Sequence, residues 1–330
     1  VALGEFELID RYFRRSDRSQ DRRRGIVLGI GDDAAVLQSL PGQQLVAAVD
    51  TLVEGRHFLS GSAPRSIGHR ALAVNLSDLA AMGATPAWYL LALTLPSPDE
   101  QFLGEFAAGM MDLAHEHDVA LVGGDTTAGP LSVTVQMLGH VPPGAALLRS
   151  GAQPGDLLFV SGWPGEAAAG LQLEMHDGAR ATPGFESEAG ASLRNRFLYP
   201  APRVALGVAL RGLASACIDV SDGLAGDALK IAQASDCGVS IEAEKTLLSP
   251  TLVATLGREA ALRAALTGGD DYELCFTLPA SRLVELPQRL INVKCPVTCI
   301  GVMEEQPGLR VRDLGRAVTF PLQAFDHFMT

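Results

Sequence analysis

Apolar runs of strand length in this chain end again and again on aspartate. Ile26 to Ile30 runs into Gly31-Asp32-Asp33, Gln44 to Val49 into Asp50-Thr51, and Val119 to Val122 into Gly123-Gly124-Asp125; Cys217 to Val220, which itself carries Asp219, runs into Ser221-Asp222-Gly223. Helical patterns lie between them. Gly4 to Arg15 has apolar residues at Phe6, Leu8, Ile9, Tyr12 and Phe13; Ile67 to Met82 is Ala-rich; and a helix opening at Pro98-Asp99 reaches about His117 with Phe102, Phe106, Met110 and Leu113 on one face. Trp88 to Leu95 and Leu131 to Val141 read as further strands. This alternation builds α/β layers, with acids gathered where strands end.

The second half repeats the pattern. Strands are predicted at Leu157–Ser161, Cys217–Val220, Val239–Glu242, Tyr272–Leu278 and Thr298–Met303, and helices at Glu166–Glu174, Pro202–Leu213 and Leu224–Ser235, with a loop over Gly178 to Glu188. Pro142-Pro143-Gly144 breaks the pattern, and turn residues crowd Arg149 to Asp156. The expectation is two mixed α/β domains, residues 1–148 and 149–330, and 330 residues at 47% apolar content suffice for two cores.

The formal charge is −12 and neither half has a basic excess, which argues against a nucleic-acid binder. The arginines at 11, 14, 15, 18, 22, 23 and 24 are interrupted by Asp17 and Asp21 and read as a solvated face. Five cysteines, odd in number and late in the chain, fit free thiols in the reducing cytoplasm. Cys295 and Cys299 lack a second Cys or His pair for zinc. No apolar run approaches the ~18 residues of a membrane helix.

Asp78 is the acid least explained by its surroundings. It stands in Asn75-Leu76-Ser77-Asp78-Leu79-Ala80-Ala81-Met82-Gly83, and the chain has no lysine before Lys230. A carboxylate buried alone is costly, so it faces water or meets a cation. Asp32, Asp33, Asp50, Asp78, Asp125, Asp219, Asp222, Asp270 and Asp271 all sit at element ends beside small residues. Singly, each serves as a turn former or cap as readily as a ligand. As a set of hard oxygens without histidine or thiolate they suit Mg²⁺, Mn²⁺ or Ca²⁺, and Mg²⁺ is usually shared with phosphate oxygens. A nucleotide is the simplest such ligand.

The common nucleotide loops are missing: there is no Gly-x-x-x-x-Gly-Lys-Ser/Thr, and Gly29-Ile30-Gly31 lacks the third glycine of a dinucleotide fingerprint. Phosphate charge is then expected to meet metal, the backbone amides of Gly123-Gly124 and Ser221-Asp222-Gly223, and Arg149, the best-placed cation. A surface arginine at a linker is the equally ready reading of Arg149.

In order along the chain, Gly4-Glu5-Phe6, Gly29 to Ala34, Asp50 to Phe58, Asn75 to Gly83, Gly123 to Thr127, Asp219 to Gly223 and Gly268 to Leu274 resemble the motifs of the thiamine-monophosphate kinases, within a superfamily that includes aminoimidazole ribonucleotide synthetase. The resemblance implies N- and C-terminal domains like those of that synthetase. It also implies ATP-dependent phosphorylation of thiamine monophosphate to thiamine diphosphate, several Mg²⁺ ions, and a homodimer joined through the N-terminal domains.

Position by position, the resemblance implies Asp33, Asp50, Asp78, Asp125, Asp219 and Asp222 as metal ligands, with transfer centred on Asp78 and Asp125. Gly124, Asp125, Arg149 and Ser221 would contact ATP; His57, Asp270 and Phe325 would line the thiamine phosphate site. The first domain would bind metal and ATP and dimerise, and the second would complete the site. The chain departs from the family in Ala48-Val49, where hydroxyl residues usually precede Asp50, and in Asp270, where glutamate is common. His57 followed by Phe58 also reads as a satisfied loop histidine, and Phe325 as core with Phe320 and Phe328. Two other readings stand beside the kinase: a superfamily relative activating another acceptor, and a non-catalytic metal- or nucleotide-binding protein.

Overall fold

Strand pairing in the structure, a computed structural model, runs further than the aspartates suggest. Residues 4–14, 25–176, 187–246 and 248–318 are described. They form two units, one of residues 1–79 and 84–144 and one of residues 80–83 and 145–330. Both mix helices with mixed sheets.

The first unit opens with helix α1 (Glu5–Tyr12) and a hairpin of β1 (Ile26–Leu28) and β2 (Val36–Leu37), whose turn is the Gly31-Asp32-Asp33 stretch. Then follow β3 (Gln44–Val53), α2 (Pro64–Ala81), β4 (Thr85–Leu95), α3 (Glu100–Glu116), β5 (Ala120–Ala128) and β6 (Ser132–Val141). The sheet order is β3-β6-β4-β5, antiparallel except for the parallel β4–β5 pair.

One face of this sheet is core: Leu72, Leu76 and Leu79 of α2 and Val133, Val135 and Met137 of β6 are all fully buried. α2 and α3 touch backbone to backbone, since a β-carbon on Gly68 would lie 2.1 Å from the Phe106 carbonyl and one on Gly109 2.0 Å from that of Arg65. Asp99 caps α3, its Oδ1 accepting from the N–H of Gln101 and Phe102 at 2.8 and 3.1 Å.

The second unit holds β7 (Leu157–Ser161), α4 (Glu166–His176), α5 (Glu188–Leu198), α6 (Val204–Leu210), β8 (Ala216–Val220), α7 (Leu224–Ala234), β9 (Gly238–Glu242), α8 (Pro250–Leu256), α9 (Arg258–Thr267), β10 (Glu273–Leu278), α10 (Leu286–Arg289), β11 (Val297–Glu304), β12 (Gly308–Asp313) and β13 (Arg316–Ala317). Its sheet runs β13-β12-β9-β11-β7-β10-β8, with only β9–β12 parallel among the described pairings. One buried cluster centres on α7 with Ile218, Val220 and Ile241, and another on Phe159, Leu206, Leu210 and Phe276.

Several expectations need correction. β3 does not end at Asp50 and β5 does not end at Val122, because each stays paired with its neighbour well past the acid. The helix expected over 202–213 is the shorter α6, and α5, α8, α9 and β12 were not anticipated. Ala80 and Ala81, at the end of α2, group with Leu206 and Leu210 in the second unit's cluster.

Candidate functional site

Asp50 and Asp78 form the first half of the site. Asp50 sits mid-strand on the sheet's edge, with its side chain on the helix-covered face. Its N–H points outward and donates to Asn75 Oδ1 at 3.2 Å. Asn75 and Asp78 lie one turn apart on α2 and so face the same strand. The Asp78 side chain is hydrogen-bonded to that of Asp50. Burial pushes the Asp50 carboxyl above its ordinary value, against that bond and the nearby His57. His57 Nδ1 accepts the Val53 N–H at 3.1 Å, so the loop histidine is satisfied by backbone and still lies within electrostatic reach of Asp50.

Asp125 stands elsewhere. Asp50 pairs with Val135, Val135 with Leu91, and Leu91 with Gly124, so these four share one face. Asp125, one residue on, projects from the other face in the row Thr51, Thr134, Ala92, Asp125. Three strand spacings separate the two edges, about 14 Å. Gly124 is required where it is: its φ is +155°, and a β-carbon would lie 1.8 Å from the Leu91 carbonyl oxygen. The Gly123-Gly124 amides therefore belong to a strand.

On that open face lies a cleft of about 1020 Å³. Its floor is Val49, Leu90, Ala92, Thr134 and Gln136; Ile9, Phe13 and Arg14 form one wall, and Asp32, Asp33, Gly124 and Asp125 line it further. Asp33 and Asp125 thus share a cavity that Asp50 and Asp78 do not line. Among the described residues no group of three or more His, Cys, Asp or Glu has metal-binding geometry.

A separate group forms in the second unit. Asp270, held at φ 69°, donates its N–H to the Ser221 carbonyl at 2.9 Å, and Tyr272 Oη donates to Asp270 Oδ1 at 3.2 Å. Ser221, Asp222 and Asp270 are therefore neighbours, with the buried Asp219 two residues earlier on β8. Asp222 is met by a cation: Lys230 Nζ lies 2.6 Å from its Oδ2 and 2.8 Å from Asp227 Oδ1. Asp227 Oδ2 also accepts the N–H groups of Ser221 and Asp222 at 3.1 Å each, so those two amides serve the turn itself. The i,i+3 spacing of Asp227 and Lys230 on a helix was the available signal.

Another cluster was invisible in the sequence. Glu273, fully buried on β10, accepts from Arg196 Nη2 at 2.8 Å, Arg203 Nε at 2.6 Å and Ser161 Oγ at 2.6 Å. These bonds hold its carboxyl below the ordinary value despite burial. Asp271 beside it caps α4, accepting the Gly165 N–H at 2.7 Å and the Ala167 N–H at 3.2 Å. Arg149 is exposed, its carbonyl accepting from Ser235 Oγ at 3.4 Å. Phe325 lies outside the described residues.

Comparison with known proteins agrees with the two-unit fold. Residues 31–141 match the AIR synthase related protein N-terminal domain, and residues 153–313 match its C-terminal domain. The chain is 47% identical to the thiamine-monophosphate kinase of Escherichia coli K12 over 332 aligned residues, covering 100% of both. A crystal structure of thiamine-monophosphate kinase from Stenotrophomonas maltophilia K279a superposes with TM-score 0.84 at 45% identity, over 96% of this chain and 99% of that one. The structure of AaThiL complexed with AMPPCP and TMP gives 0.76 at 31% identity, over 99% and 97%.

Proposed function

The chain belongs to the thiamine-monophosphate kinase family of AIR synthase related proteins, and from that premise we propose that it transfers the γ-phosphoryl group of ATP to the phosphate of thiamine monophosphate. A phosphate oxygen of thiamine monophosphate forms the new bond to the γ-phosphorus. The bond from that phosphorus to the β,γ-bridging oxygen breaks, and ADP leaves with the electron pair. The attacking oxygen is already anionic near neutral pH, so no side chain has to act as a strong base. Transfer is direct and in line; a phosphorylated aspartate or histidine trapped during turnover would overturn this.

The observation that carries the reading is the Asp50–Asp78 contact. Two acids in hydrogen-bond contact on a strand and a helix form an all-oxygen donor pair, and Asp33 and Asp125 both line the cleft. Open oxygen donors of this kind, without an all-protein cage, fit Mg²⁺, which keeps water and phosphate oxygens in its shell. Asp33, Asp50, Asp78 and Asp125 of the first unit, with Asp219 and Asp222 of the second, would hold the ions. Bound Mg²⁺ would neutralise the phosphates and align the attacking and leaving oxygens.

Gly124, Arg149 and Ser221 supply further ATP contacts. Asp270 gives the thiazolium a counter-charge, His57 a polar contact and Phe325 an aromatic face. We assign metal and ATP binding together with dimerisation to residues 1–148, and completion of the ATP and substrate sites to residues 149–330. A homodimer is supported by exposed Leu45, Val49 and Val53 on one face of β3. A cytoplasmic location is supported by five free cysteines, and among the described residues no helix is long and apolar enough to cross a membrane. Incubation with Mg²⁺, ATP and thiamine monophosphate beside a panel of other phosphorylated acceptors tests the reading. Thiamine diphosphate should form, and should form fastest; its absence would leave a binding protein.

A further inference from the structure

Among the described residues lining the first unit's cleft, Arg14 is the one basic side chain, in company with Asp10, Asp32, Asp33 and Asp125. It stands just past the end of α1. Nη1 lies 2.7 Å from Asp10 Oδ1, one turn back, and Nη2 donates across to the Ile30 carbonyl at 3.3 Å. The guanidinium lies directly on the next residue, where a β-carbon on Gly31 would come within 2.0 Å of Nη2.

α1 is itself fixed from another side. Arg11 Nη1 meets Glu100 Oε2 at 2.7 Å, Tyr12 Oη donates to the Glu100 carbonyl at 3.3 Å, and Phe13 is buried. The turn at residues 31–34 is exposed, and within it the Asp33 N–H donates to Asp32 Oδ1 at 2.9 Å. Arg14 thus ties an anchored helix to an exposed, glycine-led turn.

We propose that Arg14 is a positioning residue for Asp33, holding the Asp32-Asp33 turn in the form that receives ATP and its cation. The proposal rests on the reading of Asp33 as a ligand in the ATP site. The tie needs a planar fork, because its two bonds diverge to a carboxylate and a carbonyl; a lysine offers one point of charge. Without the tie, the cost of ordering the turn falls on binding. The loss then appears in nucleotide affinity and in KM for ATP, with kcat and the affinity for thiamine monophosphate preserved.

Calorimetric titration of the full chain with AMPPCP and Mg²⁺ tests this. Arg14→Gln should weaken binding about tenfold, as expected when a loop must be ordered on association. Arg14→Lys should lose nearly as much. Arg258→Gln, which removes an exposed partner of Asp313 in the second unit, should leave affinity unchanged. Nucleotide affinity within twofold of wild type for Arg14→Gln would overturn the proposal, and so would an equal loss of thiamine monophosphate affinity accompanied by a lower melting temperature. Asp33→Asn separates the underlying reading: if that variant binds AMPPCP and Mg²⁺ as tightly as wild type, Asp33 is not a ligand, whatever Arg14 does.

Discussion

Asp78 and Glu273 are both acids in apolar surroundings, and their partners give them opposite behaviour. Asp78 meets another carboxylate, so Asp78→Asn replaces one acid of the pair with an amide able to donate to Asp50. That variant should lose at least ~100-fold in turnover, the scale of removing one electrostatic contributor to a transition state, while melting at or above the wild-type temperature. Kinetics and a thermal melt on the same preparation check both halves. Glu273 meets two arginines, so Glu273→Gln leaves charges in a poorly solvated place. It should cost about 3–5 kcal/mol in urea unfolding, as broken buried ion pairs do. Of the two, only Asp78 was legible in the sequence, because a helix-borne aspartate among alanines is locally anomalous. Glu273 hides inside an apolar strand, and its partners lie 77 and 70 residues away.

Elements were legible where their own side chains decide them and obscure where pairing decides. The α3 cap and the buried face of Phe106, Met110 and Leu113 follow from local spacing. β3 and β5 continue through aspartate and glycine because neighbouring strands supply ladder bonds that sequence pattern does not reveal. Ser249 before Pro250, now seen accepting the Leu252 N–H at 3.0 Å, was a readable helix start for α8. At the start of α4, burial pushes the Asp271 carboxyl up from 3.8 to about 8, against the pull of its two backbone N–H partners. The folded chain then holds a proton that the unfolded chain has released, so stability is full below the ordinary carboxylate value and falls as pH rises toward 8. Chemical denaturation at pH 5 and pH 8 should show that fall in the wild type and a smaller one in Asp271→Asn. An equal fall in both would assign the slope to other groups.

For the whole molecule, the two-unit α/β plan was legible because apolar periodicity alternates in both halves. The grouping of the acids was not, because only sheet register decides that Asp50 and Asp125 face opposite ways. The open face bears on assembly. Leu45→Glu places a charge on it away from the cleft floor and should halve the mass found by light scattering if the homodimer forms through this sheet. An unchanged mass would move the interface elsewhere.

Val49, Thr134 and Gln136 are at once the floor of the cleft and part of that same open face. Whatever fills the cavity and whatever covers the sheet therefore draw on the same square ångströms. If nucleotide fills the cleft and a second copy covers the sheet, the two equilibria are linked, and by reciprocity any help or hindrance one gives the other is returned in equal measure. Diluting the protein should then change its apparent affinity for nucleotide, and adding nucleotide should change the concentration at which two copies part.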